Sequence, residues 1–401
     1  MKVEIKKTKL NGNIVARPSK SYAHRYLYAS CLSHGESIIS NLDFSDDIKA
    51  SLNCINAYGR KHIIDYEHGR VIFKKEMTTT SSPVFDCKES GTTLRIFMPI
   101  ALQKYASAKF IGSSRLIERG IDIYAEIFKS VIFNKDEYSI TTIGKINSGD
   151  YSLSGNVSSQ YISGLMYALP LTDSNSSINI TTELESRNYV DMTIDVLKKY
   201  GIEIKENSFS GKLSYDICGN QVYKSSDYSI EGDYSNAAFI DAFNYLGSNI
   251  EISGLNNNSI QADKIYKEHF KKLNEGFANI DISNCIDLGP VLITMAFLKH
   301  GAKFTGTKRL KIKESNRGEA ISSELKKCGA KIDILDNEII VNKSNLSKPS
   351  SSFDSHNDHR IAMSLSLLSS EFDIVIENSE CVKKSYPEYF EDMRMLGANI
   401  S

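Results

Sequence analysis

The sequence predicts an α/β protein with two domains, built from six similar units of which each domain holds three. One observation behind this prediction is length, because 401 residues exceed the roughly 250 to 300 at which a single hydrophobic core stops growing. A second is a recurring sequence pattern, called here a phrase, that occurs six times. In it a helix-like apolar stretch is followed by a polar or glycine break and then by a β-rich segment. A third is a phrase that occurs four times, in which a helix ends at glycine before a strand.

The first phrase defines the six units. It recurs at roughly 70 residues, apart from one shorter step, which is longer than a solenoid repeat and suits a unit that contains βαβ. Its copies are residues 34–40, 104–112, 173–181, 246–254, 300–306 and 370–378.

The second phrase predicts where helices end. It places a glycine directly after a run of helix-forming residues at Gly59, Gly201, Gly329 and Gly397. Glycine adopts the left-handed conformation of a helix C-terminus without a clash from Cβ. Each unit is therefore predicted to alternate helices and strands.

Composition narrows the class of function. No apolar run reaches the roughly 20 residues that span a bilayer, and the N-terminal MKVEIKKTKL lacks a signal peptide's apolar stretch, so a cytoplasmic protein without a membrane partner is expected. With 48 basic and 49 acidic residues there is no global field to hold nucleic acid. Seven scattered cysteines without a C-x-x-C pair argue against disulfides and against a metal site.

Two polar clusters in the first third of the chain open apolar helical patterns. Lys20 and Ser21 would begin a helix, where free N–H groups and the dipole favour anions, and Arg25 lies one turn further. Residues 89–95 surround Gly91, which lets a ligand approach the backbone closely. For each cluster an ordinary capped helix with solvated charges is the structural alternative.

Two further clusters lie in the second repeat and at the start of the third. Arg115 and Arg119 follow a predicted strand, although a surface salt bridge is the commoner fate of arginine. Residues 158–160 carry two hydroxyls and an amide before a helix, which suits phosphate or sugar hydroxyls, although N-capping explains one serine.

The most unusual clusters lie in the C-terminal half, at residues 285–288, 311–317, 357–360 and 383–387. Asp287 and Glu314 are candidates for proton transfer. The candidates for anion binding are Lys313, Arg317, Arg360 and Lys384. Histidine is the natural acid or base near pH 7, so His359 is a further candidate for direct chemistry. The alternative is that His359 only orients its neighbours.

Nine motifs occur in the order and approximate spacing of one known family. They are P-S-K-S-x-x-x-R, S-G-T-T-x-R, S-S-R-x-x-x-R, S-S-Q, S-R-x-Y-x-D, I-D-L-x-P, K-E-S-N-R, N-D-H-R and K-K-S-Y-P-E-Y-F. From about residue 10 to its end the chain resembles the 5-enolpyruvylshikimate-3-phosphate (EPSP) synthase family. The resemblance implies the two-domain enolpyruvyl transferase fold, with six βαβαββ-type repeats. It also implies one domain over residues 18–230, inserted into a second domain of residues 1–17 and 231–401.

The resemblance implies transfer of the enolpyruvyl group of phosphoenolpyruvate to the 5-hydroxyl of shikimate 3-phosphate, with release of phosphate. This is a step of the shikimate pathway to chorismate and the aromatic amino acids. It implies no cofactor and no partner beyond these substrates, and a monomer is expected. Because the substrates carry about six negative charges, basic residues from both domains should draw the domains together around them. Glyphosate, which competes with phosphoenolpyruvate in this family, is expected to inhibit.

The resemblance assigns residues to each substrate. Shikimate 3-phosphate would be held by Lys20, Ser21, Arg25, Ser158, Ser159, Gln160, Ser186, Tyr189, Asp287 and Lys313. Phosphoenolpyruvate would be held by Lys20, Gly91, Arg115, Gln160, Arg317, Arg360 and Lys384.

The resemblance also assigns the proton transfers. Asp287 would take the hydroxyl proton, Glu314 would protonate the methylene carbon, and Lys20 would assist as a proton-transfer or electrostatic partner. Burial would raise the pKa of Glu314 and the surrounding cations would lower it, and the sequence leaves that balance open. Arg309 and Asn316 depart from the family's pattern, which often has asparagine and aspartate there.

Two alternative interpretations remain. The related transferase that acts on a UDP-amino sugar typically carries a reactive cysteine in the loop matching residues 112–120, and this loop has none. A catalytically silent, anion-binding descendant of the fold would need no proton-transfer carboxylates, yet Asp287 and Glu314 are present.

Overall fold

The computed structural model describes residues 1–209 and 211–401, which divide into two compact units. Unit 1 comprises Met1–Ser19 and Glu231–Ser401, and unit 2 comprises Lys20–Ile230. Each unit has its own hydrophobic core. No helix in the described part of the chain is long and apolar enough to cross a membrane.

The elements follow one another in the order that the repeats predict. Unit 1 begins with β1 (Val3–Ile5) and β2 (Asn11–Val15). Unit 2 then contains α1 (Lys20–Leu32), β3 (Ser37–Ser40), α2 (Asp46–Ala57), β4 (Arg60–Asp65), β5 (Arg70–Met77), β6 (Val84–Asp86), α3 (Gly91–Lys104), β7 (Ser107–Ile111), α4 (Ser114–Glu118), α5 (Asp122–Ile127), β8 (Ile132–Lys135), β9 (Ser139–Ile143), β10 (Asp150–Leu153), α6 (Ser159–Ala168), β11 (Ser176–Ile180), α7 (Arg187–Lys199), β12 (Ile204–Phe209), β13 (Lys212–Ile217) and β14 (Tyr228–Ser229). Unit 1 resumes with α8 (Tyr234–Tyr245), β15 (Asn249–Ser253), α9 (Tyr266–Glu275), β16 (Ala278–Asp281), α10 (Gly289–Leu298), β17 (Ala302–Thr305), α11 (Arg317–Lys326), β18 (Lys331–Ile334), β19 (Glu338–Asn342), β20 (Phe353–Asp354), α12 (His359–Ser366), β21 (Ile374–Glu377) and α13 (Tyr389–Met395).

Unit 2 contains three four-stranded sheets with one shared strand order. The orders are β14-β3-β5-β4, β6-β7-β9-β8 and β10-β11-β13-β12. In each sheet the first two strands are parallel and the last two form an antiparallel hairpin. Parallel neighbours need a crossover, and α3 and α6 supply it in the second and third sheets. In the first sheet the outer strand is β14, which comes from the end of the unit.

Unit 1 repeats this order in full once, as β16-β17-β19-β18. Another of its repeats has the order β20-β21-β1, and Ile5 of β1 also bridges Ile400. β1 therefore occupies the third place in its sheet, which β5, β9, β13 and β19 take in the four-stranded sheets. The remaining repeat has only the parallel pair of β2 and β15.

The sequence pattern that predicted the fold is confirmed. Each of the six β-rich segments contains a strand: β3, β7, β11, β15, β17 and β21. Positive φ angles occur at all four predicted helix ends: 96° at Gly59, 77° at Gly201, 88° at Gly329 and 100° at Gly397. A strand follows the first three, and the fourth precedes the bridge made by Ile400.

Candidate active site

In unit 1 the predicted side chains lie on short turns and at helix starts. Asp287 lies on the 3-10 turn Ile286–Leu288 before α10, and Lys313 and Glu314 follow the turn Lys308–Ile312. Arg317 begins α11, Arg360 lies in the first turn of α12, and Lys384 ends the turn Ser379–Lys384. The turns and helix starts carry side chains that the packed helices and strands hold in place.

Arg317 joins three carboxylates in unit 1. Its side chain is 1% exposed. Nε donates to Asp358 Oδ2 at 2.8 Å, Nη1 to Asp287 Oδ1 at 2.8 Å and Nη2 to Glu314 Oε2 at 2.6 Å. Burial acts to lower the pKa of the guanidinium, but the charges of Asp358, Glu314 and Asp287 raise it overall. The two predicted proton-transfer residues thus share one buried arginine.

Asp287 is surrounded by cations. Besides Arg317, Lys313 Nζ lies 3.1 Å from its Oδ1 and Arg360 Nη2 lies 3.4 Å from its Oδ2. Burial acts to raise the pKa of this carboxyl, but Arg360, Lys313 and Arg317 outweigh burial and hold the pKa well below its usual value. An anionic ligand that draws these cations away would raise the pKa of Asp287 and make it a stronger base.

Asp358 accepts hydrogen bonds from both Arg317 and Arg360, a role that the sequence analysis did not assign. It is fully buried and caps α12 by accepting a hydrogen bond from Arg360 N at 3.0 Å. It also accepts from Ser315 Oγ at 3.0 Å. The available signal was its place before a helix in the motif N-D-H-R, since aspartate is a preferred N-cap.

A second buried carboxylate, Asp263, was not anticipated. It accepts a hydrogen bond from Ser235 Oγ. Burial and the charge of Asp287 raise the pKa of Asp263 to about 6. The surrounding sequence, S-I-Q-A-D, contains no pattern that would have identified it.

The remaining predicted residue of unit 1 and the two departures have local partners. Lys384 Nζ donates to the carbonyl of Asn357 at 2.6 Å. Arg309 donates to the carbonyl of Ser283, and Asn316 caps α11 by accepting from Glu319 N at 3.5 Å. Since asparagine and aspartate are equally good N-caps, Asn316 serves the helix as aspartate would.

In unit 2 the predicted residues gather at four helix starts. Lys20 begins α1, Gly91 begins α3, Ser159 begins α6, and Ser186 immediately precedes α7. Helix starts leave backbone N–H groups that anions satisfy. Ser158 caps α6 by accepting from Gln160 N at 3.3 Å, and Lys20 Nζ lies 2.7 Å from Asp47 Oδ2.

Arg25 is buried and joins α1 to α7. Nη1 donates to the Ser21 carbonyl at 2.7 Å, Nη2 to the Tyr189 carbonyl at 2.8 Å, and Nε to Thr193 Oγ1 at 2.9 Å. Its guanidinium also lies 5.8 Å from the centre of the Tyr189 ring. The structure therefore brings Ser21, Arg25 and Tyr189 together, with the arginine donating to the protein itself.

Gly91 faces two arginines. A Cβ built on Gly91 would lie 2.9 Å from Arg95 Nη1 and 3.1 Å from Arg119 Nη2. Arg95 Nη1 also donates to Gln160 Oε1 at 3.0 Å. Gly91, Gln160 and the two arginines thus form one group, which we call the Gly91 cluster.

Arg115 has a different environment. It lies on α4 with its side chain 42% exposed, and its Nη1 is 3.1 Å from Glu118 Oε2. Arg119, one turn further along, is the arginine of this loop that lies against Gly91. The motif S-S-R-x-x-x-R contains both, so only the fold distinguishes them.

Comparison with known proteins matches these groups to a family. The family model described as EPSP synthase (3-phosphoshikimate 1-carboxyvinyltransferase) matches residues 5–393. The chain belongs to the EPSP synthase family. Curated relatives named 3-phosphoshikimate 1-carboxyvinyltransferase include one from Clostridium kluyveri, 41% identical over 423 residues, and one from Clostridium novyi, 38% identical over 429 residues. In both cases the match covers 99% of this chain and 98% of the relative.

Solved structures support the enolpyruvyl transferase fold. An EPSP synthase from Acinetobacter baumannii superposes with a TM-score of 0.78 at 19% identity, covering 100% of this chain and 99% of that one. The enolpyruvyl transferase NikO from Streptomyces tendae superposes with a TM-score of 0.76 at 14% identity, covering 100% and 98%. The family resemblance inferred from nine motifs is therefore confirmed, and so is the fold class.

Proposed function

We propose that the chain transfers the enolpyruvyl group of phosphoenolpyruvate to the 5-hydroxyl of shikimate 3-phosphate. In the addition step the hydroxyl oxygen bonds to C2 of phosphoenolpyruvate, the hydroxyl gives up its proton, and C3 gains one. In the elimination step C3 loses a proton, the C2–O bond to phosphate breaks, and phosphate leaves. The observation that carries the proposal is the pairing of Asp287 and Glu314 on Arg317 in a member of the EPSP synthase family.

Asp287 is proposed as the base for the hydroxyl. Its ionised form suits this role, but its low pKa makes it a weak base while Lys313, Arg317 and Arg360 surround it. Substrate phosphate and carboxylate groups compete for those cations and so raise the pKa of the base on binding. Basicity is thereby linked to the arrival of substrate.

Glu314 is proposed to give a proton to C3 and to take one back during elimination, with Lys20 as a further proton-transfer or electrostatic partner. A carboxyl that performs both transfers must change its protonation state during the reaction. Its hydrogen bond to Arg317 favours the charged form. We therefore propose that protonation of Glu314 accompanies the movement of Arg317 towards the anionic substrate.

The substrate contacts are proposed as the sequence analysis assigned them, with one added arginine and a second role for Arg25. Arg119 is proposed beside Arg115 as a phosphoenolpyruvate contact, because Arg119 lies against Gly91. Arg25 remains a proposed contact of shikimate 3-phosphate and also holds Ser21 and Tyr189, because its three hydrogen bonds among the described residues, to Ser21, Tyr189 and Thr193, leave two of its five N–H donors for the substrate.

The other proposed contacts are unchanged. They are Lys20, Ser21, Ser158, Ser159, Gln160, Ser186, Tyr189, Asp287 and Lys313 for shikimate 3-phosphate, and Lys20, Gly91, Gln160, Arg317, Arg360 and Lys384 for phosphoenolpyruvate. We also propose that the enzyme is a cytoplasmic monomer, because the family resemblance assigns the contacts of both substrates to residues of a single chain and the sequence has no apolar run long enough to span a bilayer.

The test is phosphate release from phosphoenolpyruvate in the presence of shikimate 3-phosphate, with a UDP-amino sugar as the alternative acceptor. We expect release that depends on shikimate 3-phosphate and falls by about 100-fold or more in Asp287→Asn, since a general base typically contributes 10²–10⁴-fold. Asp373→Asn, which alters an exposed carboxylate outside the site, is the matched control and should retain full activity. Release only with the UDP sugar would assign the chain to the related transferase, and no release with either acceptor would leave a binding protein.

A further inference from the structure

Arg95 is a buried cation of α3 that the proposed chemistry does not use. Its side chain is 6% exposed. In the described part of the chain its donors reach neutral oxygens: Gln160 Oε1 (3.0 Å), Tyr161 Oη (3.2 Å), and the carbonyls of Arg119 (3.1 Å) and Gly120 (3.4 Å). A buried charge without a counter-ion is costly. Burial alone does not indicate a ligand, since buried Arg60 also donates to carbonyls, but Arg95 lies beside a second cation, Arg119, in the Gly91 cluster, and this pairing indicates that an anion supplies the missing charge.

Arg95 determines which way the Gln160 amide faces. A guanidinium carries donors only, so the oxygen of the amide must be the atom that faces Arg95. The amide nitrogen then faces Thr92, to whose Oγ1 it donates at 2.9 Å. That nitrogen carries two hydrogens and the bond to Thr92 uses one, which leaves the second to donate to an anion beside Gly91.

Arg95 also fixes the backbone that carries Arg119. Its Nη2 donates to two successive carbonyls, those of Arg119 and Gly120. Tyr161 Oη donates to the Gly120 carbonyl as well, at 3.2 Å. The backbone of this loop is thus held while the Arg119 side chain extends to Gly91.

We infer that Arg95 is a positioning residue for phosphoenolpyruvate, which orients the Gln160 amide and the Arg119 backbone so that both side chains donate to one anion beside Gly91. The inference rests on the proposed function, which assigns Gly91, Gln160 and Arg119 to that substrate. Gln160 is assigned to both substrates, but Gly91 and Arg119 are assigned to phosphoenolpyruvate alone. Because Ser21 and Tyr189, which are assigned to shikimate 3-phosphate, are held by Arg25, Arg95 acts mainly on phosphoenolpyruvate. A change at Arg95 therefore separates the KM values of the two substrates.

The first experiment compares Arg95→Lys with Arg60→Lys. Lysine keeps the charge but loses the planar fork that reaches Gln160 and two carbonyls together. Arg60 is the matched control, since it is equally buried in unit 2 and donates to the carbonyls of Gly35 and Lys75, away from every assigned contact. We expect Arg95→Lys to raise the KM for phosphoenolpyruvate about tenfold, which corresponds to about 1.4 kcal/mol, with the KM for shikimate 3-phosphate within about twofold. Arg60→Lys should leave both KM values within about twofold, even where it lowers the thermal unfolding midpoint.

A second pair of variants tests the amide orientation without altering Arg95. Gln160→Glu still offers an oxygen to Arg95 and gains an ion pair, but it replaces the outward N–H donor with an acceptor that repels an anion. Gln160→Leu removes the donor without adding repulsion. We expect the KM for phosphoenolpyruvate to rise at least about fivefold more in Gln160→Glu than in Gln160→Leu, because like charges held together disfavour binding.

The outcomes separate the inference from the proposed function. A wild-type enzyme without turnover that depends on shikimate 3-phosphate would overturn both. An active wild-type enzyme in which Arg95→Lys changes neither KM, or raises both equally, would overturn the inference alone. The same conclusion follows if Gln160→Glu binds phosphoenolpyruvate no worse than Gln160→Leu.

Discussion

At the scale of single residues, buried charge in this protein is arranged so that each group depends on its neighbours. Arg317 is almost completely buried, and its cost of desolvation is offset by three carboxylates. Asp287 is held ionised by three cations. Removing any one partner changes the balance of charge in this cluster, so substitutions there affect both stability and chemistry.

Asp263 gives a prediction about pH. Its pKa rises from 3.8 to about 6 in the folded chain, so its protonated form stabilises the fold below about pH 4 and that stabilisation is lost as pH rises through 6. Asparagine stays neutral and can still accept from Ser235, so Asp263→Asn should raise the free energy of unfolding at pH 8 by on the order of 2 kcal/mol. At pH 4 the variant and the wild type should be alike. Urea unfolding at the two pH values measures the difference.

The control for this prediction is Asp373→Asn, in which the charge is exposed. Hydrogen bonds from Lys7 N and Lys6 lower the pKa of Asp373, so its ionised form is the stabilising one. The control should be no more stable than the wild type at pH 8. Equal gains in the two variants would show that the burial of Asp263 is not the cause.

The sequence identified many candidate residues but not their arrangement. Asp287, Glu314, Arg317 and Arg360 were identified because charged residues in short motifs are visible in one dimension. Asp263 and the contacts of Asp358 were missed, because what distinguishes these two residues is burial beside another charge. Arg115 lies within α4 and pairs with Glu118, whereas Arg119 follows α4 and lies against Gly91, a difference that the motif does not show.

At the scale of elements, glycines that follow helix-forming residues predicted the helix ends well, because the requirement for a positive φ angle is local. Strand pairing between distant segments was less visible. β1 has only three residues, and its partner β21 lies near the other end of the chain, so no local pattern indicates the pairing. The parallel pair of β2 and β15 is likewise formed by segments on either side of unit 2.

Two of the helix-ending glycines should respond differently to alanine. At Gly397 a Cβ would meet nothing within 4 Å, so Gly397→Ala should cost about 1 to 2 kcal/mol from left-handed backbone strain alone. At Gly59 a Cβ would lie 2.1 Å from the Thr78 carbonyl oxygen, so the backbone must also move. We expect Gly59→Ala to cost about 3 kcal/mol or more. Urea unfolding of the two variants tests the order, and equal losses would contradict it.

At the scale of the whole molecule, unit 1 is assembled from the two ends of the chain. Within unit 1, Ser19 N donates to the Glu231 carbonyl at 2.7 Å and Asp233 N donates to the Arg17 carbonyl at 2.7 Å. Gln261 Nε2 donates to Glu231 Oε1 at 2.7 Å. The two segments of unit 1 that connect to unit 2, residues 17–19 and 231–233, are thus hydrogen-bonded to each other.

Removing residues 1–6 should therefore loosen a strand near the C-terminus. Val3 and Ile5 are buried, and their loss unpairs one edge of β21, with each side chain contributing about 1.5 to 3 kcal/mol of burial. We expect amide exchange in β21 to accelerate at least about tenfold while β11 in unit 2 is unchanged. Lys2→Ala is the control, since it removes only an exposed ion pair with Glu4, and amide exchange in β21 should be as slow in this variant as in the wild type. Equal acceleration in β21 and β11 would contradict this account.

The pairing of β1 with β21 also has a consequence for the newborn chain. During synthesis β1 precedes its partner β21 by about 370 residues, which takes tens of seconds at about 5 to 20 residues per second. During that time unit 2 can fold while β1 waits without a sheet. Its short apolar pattern alternates with Lys2, Glu4 and Lys6, and such charges act as gatekeepers against aggregation. We therefore expect Lys2, Glu4 and Lys6 to hinder aggregation of β1 until its partner β21 has been synthesised.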